Sequence, residues 1–125
     1  MSENVNGQEW SIRIARTGRL LAARAAMAQS LGARMKGLLG RRSLGAQEAL
    51  ILPQCRSIHT VGMRFPIDAV FVDRAWRVVA LRPHLRQGRL VWPVAGAWNV
   101  VECADGTLER VDLAIGDELQ CIPAA

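Results

Sequence analysis

Residues 57–73 read Ser-Ile-His-Thr-Val-Gly-Met-Arg-Phe-Pro-Ile-Asp-Ala-Val-Phe-Val-Asp, and this stretch decides the fold class. Its second half, 67–73, is a short apolar run rich in β-branched side chains, which is typical of a buried strand. Pro66 removes a backbone donor just before that run, and Gly62 gives the preceding turn conformational freedom. The stretch therefore predicts a turn that leads into a central strand of a sheet.

The rest of the chain repeats this pattern of short strands separated by turn residues. Alternating apolar and polar residues predict a strand at 10–16, and the Thr17-Gly18 turn suggests that 19–29 returns as a second strand. Residues 1–9 look like a flexible terminus, and 10–125 look like a single domain. Further strands are predicted at 49–52, 57–60, 76–82, 90–92, 98–103 and 118–122.

Two helical segments are predicted among these strands. Ser30 is a good N-cap, and the leucine and methionine side chains that follow it fall on one helix face, which indicates a helix over about residues 30–40. Thr107 can cap a short helical turn through Asp112. Many short strands with one packed helix indicate a mainly β (β-rich α+β) fold, either a jelly-roll-like sandwich or a small barrel.

Composition, charge and cysteine count limit the classes of protein to which this chain can belong. The chain has 125 residues, a net charge of +5 and three cysteines. No apolar run is long enough to span a bilayer, and the polar first residues do not resemble a signal peptide, so we expect a cytoplasmic protein. An odd number of cysteines in a reducing compartment predicts buried thiols and no disulfide framework.

The basic charge does not by itself indicate a nucleic-acid-binding protein. Residues 1–60 contain nine basic and three acidic side chains, but no basic run is longer than Arg41-Arg42 and Lys36 is the only lysine. A solvated basic face is the first interpretation, and contact with a nucleic-acid backbone is the weaker alternative.

A possible metal or nucleophile site begins at Cys55. In an extended strand Cys55, Ser57 and His59 would share one face, but Cys55 and His59 would be about 13 Å apart, too far for two ligands of one zinc ion. Ser57 and His59 are also too far apart for a hydrogen bond. We therefore expect no metal and no cofactor.

Asp68 is a charge on a strand whose two faces both look buried, so it needs a partner. Arg56, His59 and Arg64 are the nearest candidates in the sequence. If the strands at 67–73 and 98–103 approach each other, Asp68 and Glu102 could form a carboxylate pair suited to acid–base chemistry. A structural ion pair or an acceptor for backbone amides is the simpler alternative.

Three blocks of sequence resemble the bacterial and archaeal family called domain of unknown function 192. Arg34–Arg41 is similar to that family's Arg-x-x-Gly-Leu-Met-Gly-Arg segment, and Ser57–Asp73 is similar to its central motif, which ends in Pro-Leu-Asp and an apolar strand. Val100–Gly106 and Gly116-Asp117 resemble its later blocks. The resemblance covers roughly residues 10–122 and implies a mainly β, jelly-roll-like fold with a packed helix. It implies no activity.

The chain departs from the family pattern in two places. Many members have Trp-Met-Lys-Asn-Thr where this chain has His59–Met63, so Val61 and Gly62 replace a lysine and an asparagine. The glycine that commonly follows the central strand is also absent, and Ala75-Trp76 stand in its place.

A small binding or accessory module with an anion- or peptide-binding surface is the first functional hypothesis, and we favour a non-catalytic role. The alternative is a small hydrolase or lyase that uses a carboxylate and histidine site. The expected partner is a small anionic ligand or a protein, with nucleic acid not favoured, and the expected state is a monomer or weak homodimer. The candidate binding residues are Arg56, His59, Arg64, Asp68 and Glu102.

Overall fold

Short strands curl into one large sheet with a small ribbon beside it. The structure is a computed structural model that describes residues 7–28 and 38–124, and within them there are nine strands and one helix. The helix is α1 (Thr107–Val111). The strands are β1 (Glu9–Ile14), β2 (Leu20–Met27), β3 (Glu48–Pro53), β4 (Ile58–His59), β5 (Ile67–Val72), β6 (Val78–Leu85), β7 (Leu90–Val91), β8 (Asn99–Ala104) and β9 (Leu119–Pro123).

The large sheet has the strand order β6-β5-β8-β3-β2-β1-β9, and β4 pairs with β7 in the ribbon. All neighbouring pairs are antiparallel except β2 and β3. The two edges of the sheet meet at one end, where the Val78 N–H donates to the Asp117 carbonyl at 2.8 Å and the Leu119 N–H donates to the Trp76 carbonyl at 2.9 Å. The sheet is therefore a curled half-barrel.

The mainly β fold class is confirmed. Residues 19–29, which could have been read as helix or strand, contain strand β2, and the short helical turn at 107–112 is α1. Of the helix predicted over about 30–40, residues 30–37 lie outside the described ranges. Residues 38–40 form a turn in which the Arg41 N–H donates to the Leu38 carbonyl at 3.2 Å.

Both faces of the central strands are covered, so the apolar run at 67–72 is buried throughout. Val70 and Val72 pack on one face with Val101, and α1 adds Leu108 and Val111 to that face. The opposite face packs against the β4–β7 ribbon, through a cluster that includes Ile58, Met63, Ile67, Ala69, Phe71, Val91 and Val100. Side chains that alternate along β5 and β8 therefore enter two different cores.

The turn after β5 explains how the chain manages without the family's glycine. Trp76 has φ 61°, a left-handed conformation that favours glycine. Oδ1 of Asp73 accepts the N–H groups of Ala75 and Arg77, each at 2.9 Å, and so fixes the turn. The Trp76 side chain packs against the first core, which offsets part of the backbone strain.

Candidate functional site

The buried charge of Asp68 has two backbone partners. Its side chain is fully buried, Oδ1 accepts the N–H of His84 at 2.9 Å, and Oδ2 accepts the N–H of Leu108 at 2.8 Å. The N-cap of α1 is Gly106, which has no side chain to cap the helix, so Asp68 supplies from β5 an acceptor for the first turn of α1. Asp68 thus ties β6 and α1 to the centre of the sheet.

A bulge in β6 presents His84 to Asp68. Ile67 pairs with Leu85 and Ala69 pairs with Arg82, so β6 has one residue more than β5 over this interval. Pro83 cannot donate to the ladder, and His84 has φ 54°. The bulge turns the His84 N–H towards Asp68 and leaves the imidazole exposed beside α1.

The His84 imidazole lies between two carboxylates. Nδ1 is 2.7 Å from Oδ1 of Asp105, and Nε2 contacts Oε1 of Glu109. Hydrogen bonds to Glu109 and then Asp105 raise the pKa of His84 to about 9, so the ring is a cation at neutral pH. This cluster locks the bulge of β6 to the start of α1.

Asp68, His84 and Asp105 place one donor atom each within 4.8 Å of one another, a spacing compatible with a metal ion. The chemistry of the donors fits an ion-pair cluster better. Both oxygens of Asp68 already accept backbone N–H groups. A metal would also have to displace the proton from an imidazole whose pKa is raised to about 9.

Glu102 occupies the centre of the other core. It pairs with Ala69 of β5 and Leu50 of β3, and only 3% of it is exposed. Among the described residues Oε1 of Glu102 finds no hydrogen-bond partner, and burial raises the pKa of Glu102 to about 7. The structure therefore contains a carboxyl group whose ionisation is coupled to the packing of the apolar core.

The Asp68–Glu102 carboxylate pair does not form, although β5 and β8 are neighbours. Asp68 pairs with Cys103 and Ala69 pairs with Glu102, so the register places the two carboxyl groups on opposite faces of the sheet. Arg64 is not the partner of Asp68 either, because backbone N–H groups hold both oxygens of that carboxylate. The structure does not bring His59, Asp68 and Glu102 to one point, the geometry that the hydrolase hypothesis needs.

The other three candidate residues, Arg56, His59 and Arg64, are all exposed, and the structure places them at separate positions. His59 lies on β4 directly opposite Leu90 of β7, so the two side chains share one face of the ribbon. Arg56 lines two shallow depressions beside Trp98. Arg64 lies in the bend after residue 63. His59 pairs with Leu90, and the Arg56 carbonyl accepts the N–H of Val94. Leu90 and Val94 both line the cleft described next, so His59 and Arg56 flank it.

An open cleft of about 630 Å³ lies where β6 ends and β7 begins. We call it the arginine cleft, because Arg82, Arg86 and Arg89 line it together with the exposed side chains of Leu90 and Trp92. Among the described residues no carboxylate lies within 4.0 Å of these three guanidinium groups. The cleft thus combines uncompensated positive charge with an apolar wall.

Thr60 fixes the loop that carries two of these arginines. Its fully buried side chain donates from Oγ1 to the Arg86 carbonyl at 2.5 Å and accepts the Arg89 N–H at 2.8 Å. The backbone of Thr60 also accepts from Gly88 and donates to the Arg89 carbonyl. Thr60 belongs to the central motif, so that motif positions the wall of the arginine cleft.

Sequence reasoning missed His84 and the arginine cleft. The prolines and glycines of residues 83–97 predict a loop with one edge strand at 90–92, and in the sequence His84 stands alone in that loop. Three arginines within eight residues, followed by a tryptophan, were the available signal. The carboxylates that flank His84 come from residues 105 and 109, and only the fold brings them near.

Comparison with known proteins gives the family and the fold. A "UPF0127 protein" of Thermococcus sibiricus is 29% identical over 106 residues, which cover 82% of this chain and 68% of the relative. A protein of unknown function from Novosphingobium aromaticivorans has a similar structure, with a TM-score of 0.76 and 22% identity over 90% of this chain and 83% of that one.

A second solved structure, a candidate transcription regulator from Sinorhizobium meliloti, has a TM-score of 0.78 and 16% identity, and the match covers 91% of this chain and 92% of that one. At these identities the two structures support the fold alone. The family model DUF192, described as "Uncharacterized ACR", matches residues 12–121. The chain belongs to the DUF192 family.

Proposed function

We propose that this protein is a small binding module that holds an anionic ligand in the arginine cleft. The observation that carries the proposal is the set of three arginines, Arg82, Arg86 and Arg89, around one concavity. Guanidinium groups without an acidic partner match carboxylate and phosphate groups through paired N–H donors. A volume of about 630 Å³ lies in the range of small-ligand sites.

The apolar wall of the cleft also supports binding. Trp92 is 77% exposed and Leu90 is 62% exposed, and neighbouring exposed apolar side chains beside a concavity are typical of a ligand-binding surface. His59, which faces the same side of the ribbon as Leu90, extends this wall. The ligand we infer therefore has an anionic group for the arginines and an apolar part for Trp92.

The arginine cleft is largely preformed, which favours a binding role. The bonds of Thr60 fix the loop at 86–89, and the Asp68–His84 bond fixes the end of β6. A site that is already ordered loses less conformational entropy when a ligand binds. In this proposal Asp68 is a structural residue, while Arg56 and Arg64 lie outside the cleft and make at most flanking contacts.

The cytoplasm is the proposed location. Helix α1 has only five residues, so the described part of the chain contains no helix that could span a membrane. Cys103 is fully buried as a thiol, as expected in a reducing compartment.

Thermal unfolding and calorimetry with inorganic phosphate, citrate and thymidine 5′-monophosphate test the proposal. We expect thymidine 5′-monophosphate to raise the melting temperature of the wild type and to bind Arg86→Ala and Arg89→Ala at least fivefold more weakly. Arg77→Ala is the matched control, since Arg77 is an exposed arginine outside the cleft. The proposal fails if none of the three anions binds, or if Arg77→Ala weakens binding as much as Arg86→Ala.

A further inference from the structure

Two further depressions adjoin the arginine cleft. One, of about 560 Å³, shares Pro93 with the cleft and is also lined by Arg56 and Trp98. The other, of about 460 Å³, shares Arg56 and Trp98 with the second and adds Arg74. The Val94 N–H donates to the Arg56 carbonyl at 2.9 Å, which joins the floor of the cleft to the second depression. Each depression therefore shares lining residues with the next, and we call the three together the track.

The side chains along this track are arginines and tryptophans. Arg74 places its guanidinium carbon 3.9 Å from the centroid of the Trp98 ring. A cation–π contact at this distance holds the Arg74 guanidinium over the indole, in the depression that both side chains line. The cationic and aromatic residues of the track are Arg56, Arg74, Arg82, Arg86, Arg89, Trp92 and Trp98.

The charge of the track is nearly uncompensated. None of its five arginines forms an ion pair with a described carboxylate. Asp73 is the one acidic residue among the lining side chains, and its Oδ1 accepts two backbone N–H groups of its own turn. His84 also lines the cleft, but the two carboxylates that it binds, Asp105 and Glu109, line none of the three depressions. A polyanion can therefore follow the track from the cleft to Arg74.

We propose that the track binds single-stranded nucleic acid, with phosphates on the arginines and a base stacked on the exposed ring of Trp92. This inference rests on the proposed function of the cleft and names its ligand class. Stacking platforms set along a basic groove are what sequence-tolerant single-strand binding requires. A duplex turns its bases inward and would leave Trp92 unused, and the carboxylates of an acidic peptide would engage the arginines without making use of the indole.

Fluorescence anisotropy with labelled (dT)12 and (rU)12 tests the inference, alongside calorimetry with thymidine 5′-monophosphate. We expect (dT)12 to bind at least tenfold more tightly than the mononucleotide, because it reaches all three depressions. We expect log K to fall with log salt concentration by roughly 0.7 for each phosphate neutralised. Arg56→Ala is expected to weaken (dT)12 binding at least fivefold and to leave mononucleotide binding unchanged, while Arg77→Ala changes neither.

Trp92→Ala provides a second variant that does not depend on buried packing, since Trp92 is 77% exposed. It should weaken (dT)12 binding at least fivefold with an unchanged melting temperature. If the mononucleotide binds but chain length and Arg56→Ala have no effect, the arginine cleft stands and the track is refuted. If polyglutamate of equal charge binds as tightly as (dT)12, the partner is an acidic protein segment and the nucleic-acid inference is overturned. If neither nucleotide nor oligonucleotide binds, the nucleic-acid inference is refuted, and the arginine cleft stands only if inorganic phosphate or citrate binds.

Discussion

Ionisation of Glu102 should make folding stability depend on pH in an unusual direction. Burial raises the pKa of this carboxyl from its ordinary value of 4.5 to about 7. A native pKa above the unfolded one means that the native state binds the extra proton, so stability decreases as the pH rises from about 4.5 to 7. The difference between the native and unfolded pKa values lowers the free energy of unfolding by about 3 kcal/mol at pH 8. Paired carboxylates, which depress the pKa, give the opposite trend.

Glu102→Gln removes this ionisation and keeps the size of the side chain. The amide still lacks a full set of partners, so we expect the variant to be about 2 kcal/mol more stable than the wild type at pH 8 and slightly less stable at pH 4.5. For a chain of this length the gain at pH 8 corresponds to roughly 8 °C in melting temperature. Urea unfolding across this pH range measures the difference.

Glu118→Gln is the control for the loss of one negative charge, because Glu118 is exposed. Its stability should differ from that of the wild type by a nearly constant amount at every pH. A difference between Glu102→Gln and the wild type that is equally constant from pH 4.5 to 8 would refute the reasoning, since Glu102 would then ionise alike in the folded and unfolded chains.

Three further predictions concern the residues that shape the cleft. Asp68→Asn should lower the free energy of unfolding by about 2–3 kcal/mol in urea titrations, because one backbone N–H loses its charged acceptor; an unchanged value contradicts the capping role. The His84 imidazole should titrate near pH 9 by NMR, and its midpoint should be lower in Glu109→Gln. The contribution of this ion pair to stability is complete below about pH 6.5 and is lost as the pH rises through 9. An equal midpoint in both proteins refutes the ion pair. Thr60→Val should lower the free energy of unfolding by about 1–3 kcal/mol and weaken binding of thymidine 5′-monophosphate in calorimetry, because the arginine-bearing loop loses two hydrogen bonds. Wild-type affinity would show that the loop is fixed by other contacts.

Local patterns were sufficient to predict the strands. The apolar run in β5 and the alternation in β1 are set by residues close in sequence, and hydrophobic period is the signal that such reasoning uses. The requirement that Asp68 have a partner was also readable, because burial of a charge is costly. The atoms that bind Asp68 could not be predicted, because they are the N–H groups of His84 on β6 and Leu108 on α1.

The carboxylate pair shows why the site could not be predicted. A shift of one residue in the pairing of β5 with β8 exchanges the faces of Asp68 and Glu102, and no local pattern fixes that register. One lysine and no long basic run offer little indication of the nucleic-acid binding proposed above. The arginines of the track come from separate segments of the chain, and the pairing of 55–56 with 94–98 brings two of those segments together.

NMR spectra of the 15N-labelled protein titrated with thymidine 5′-monophosphate test the central claim most directly. The account predicts that the Trp92 indole N–H and the backbone amides at 86–92 shift together and saturate. The same shifts should require at least fivefold more ligand in Arg86→Ala and should be unchanged in Arg77→Ala. Shifts confined to other surfaces, or none in this segment at saturating ligand, would contradict the assignment of the arginine cleft as the binding site.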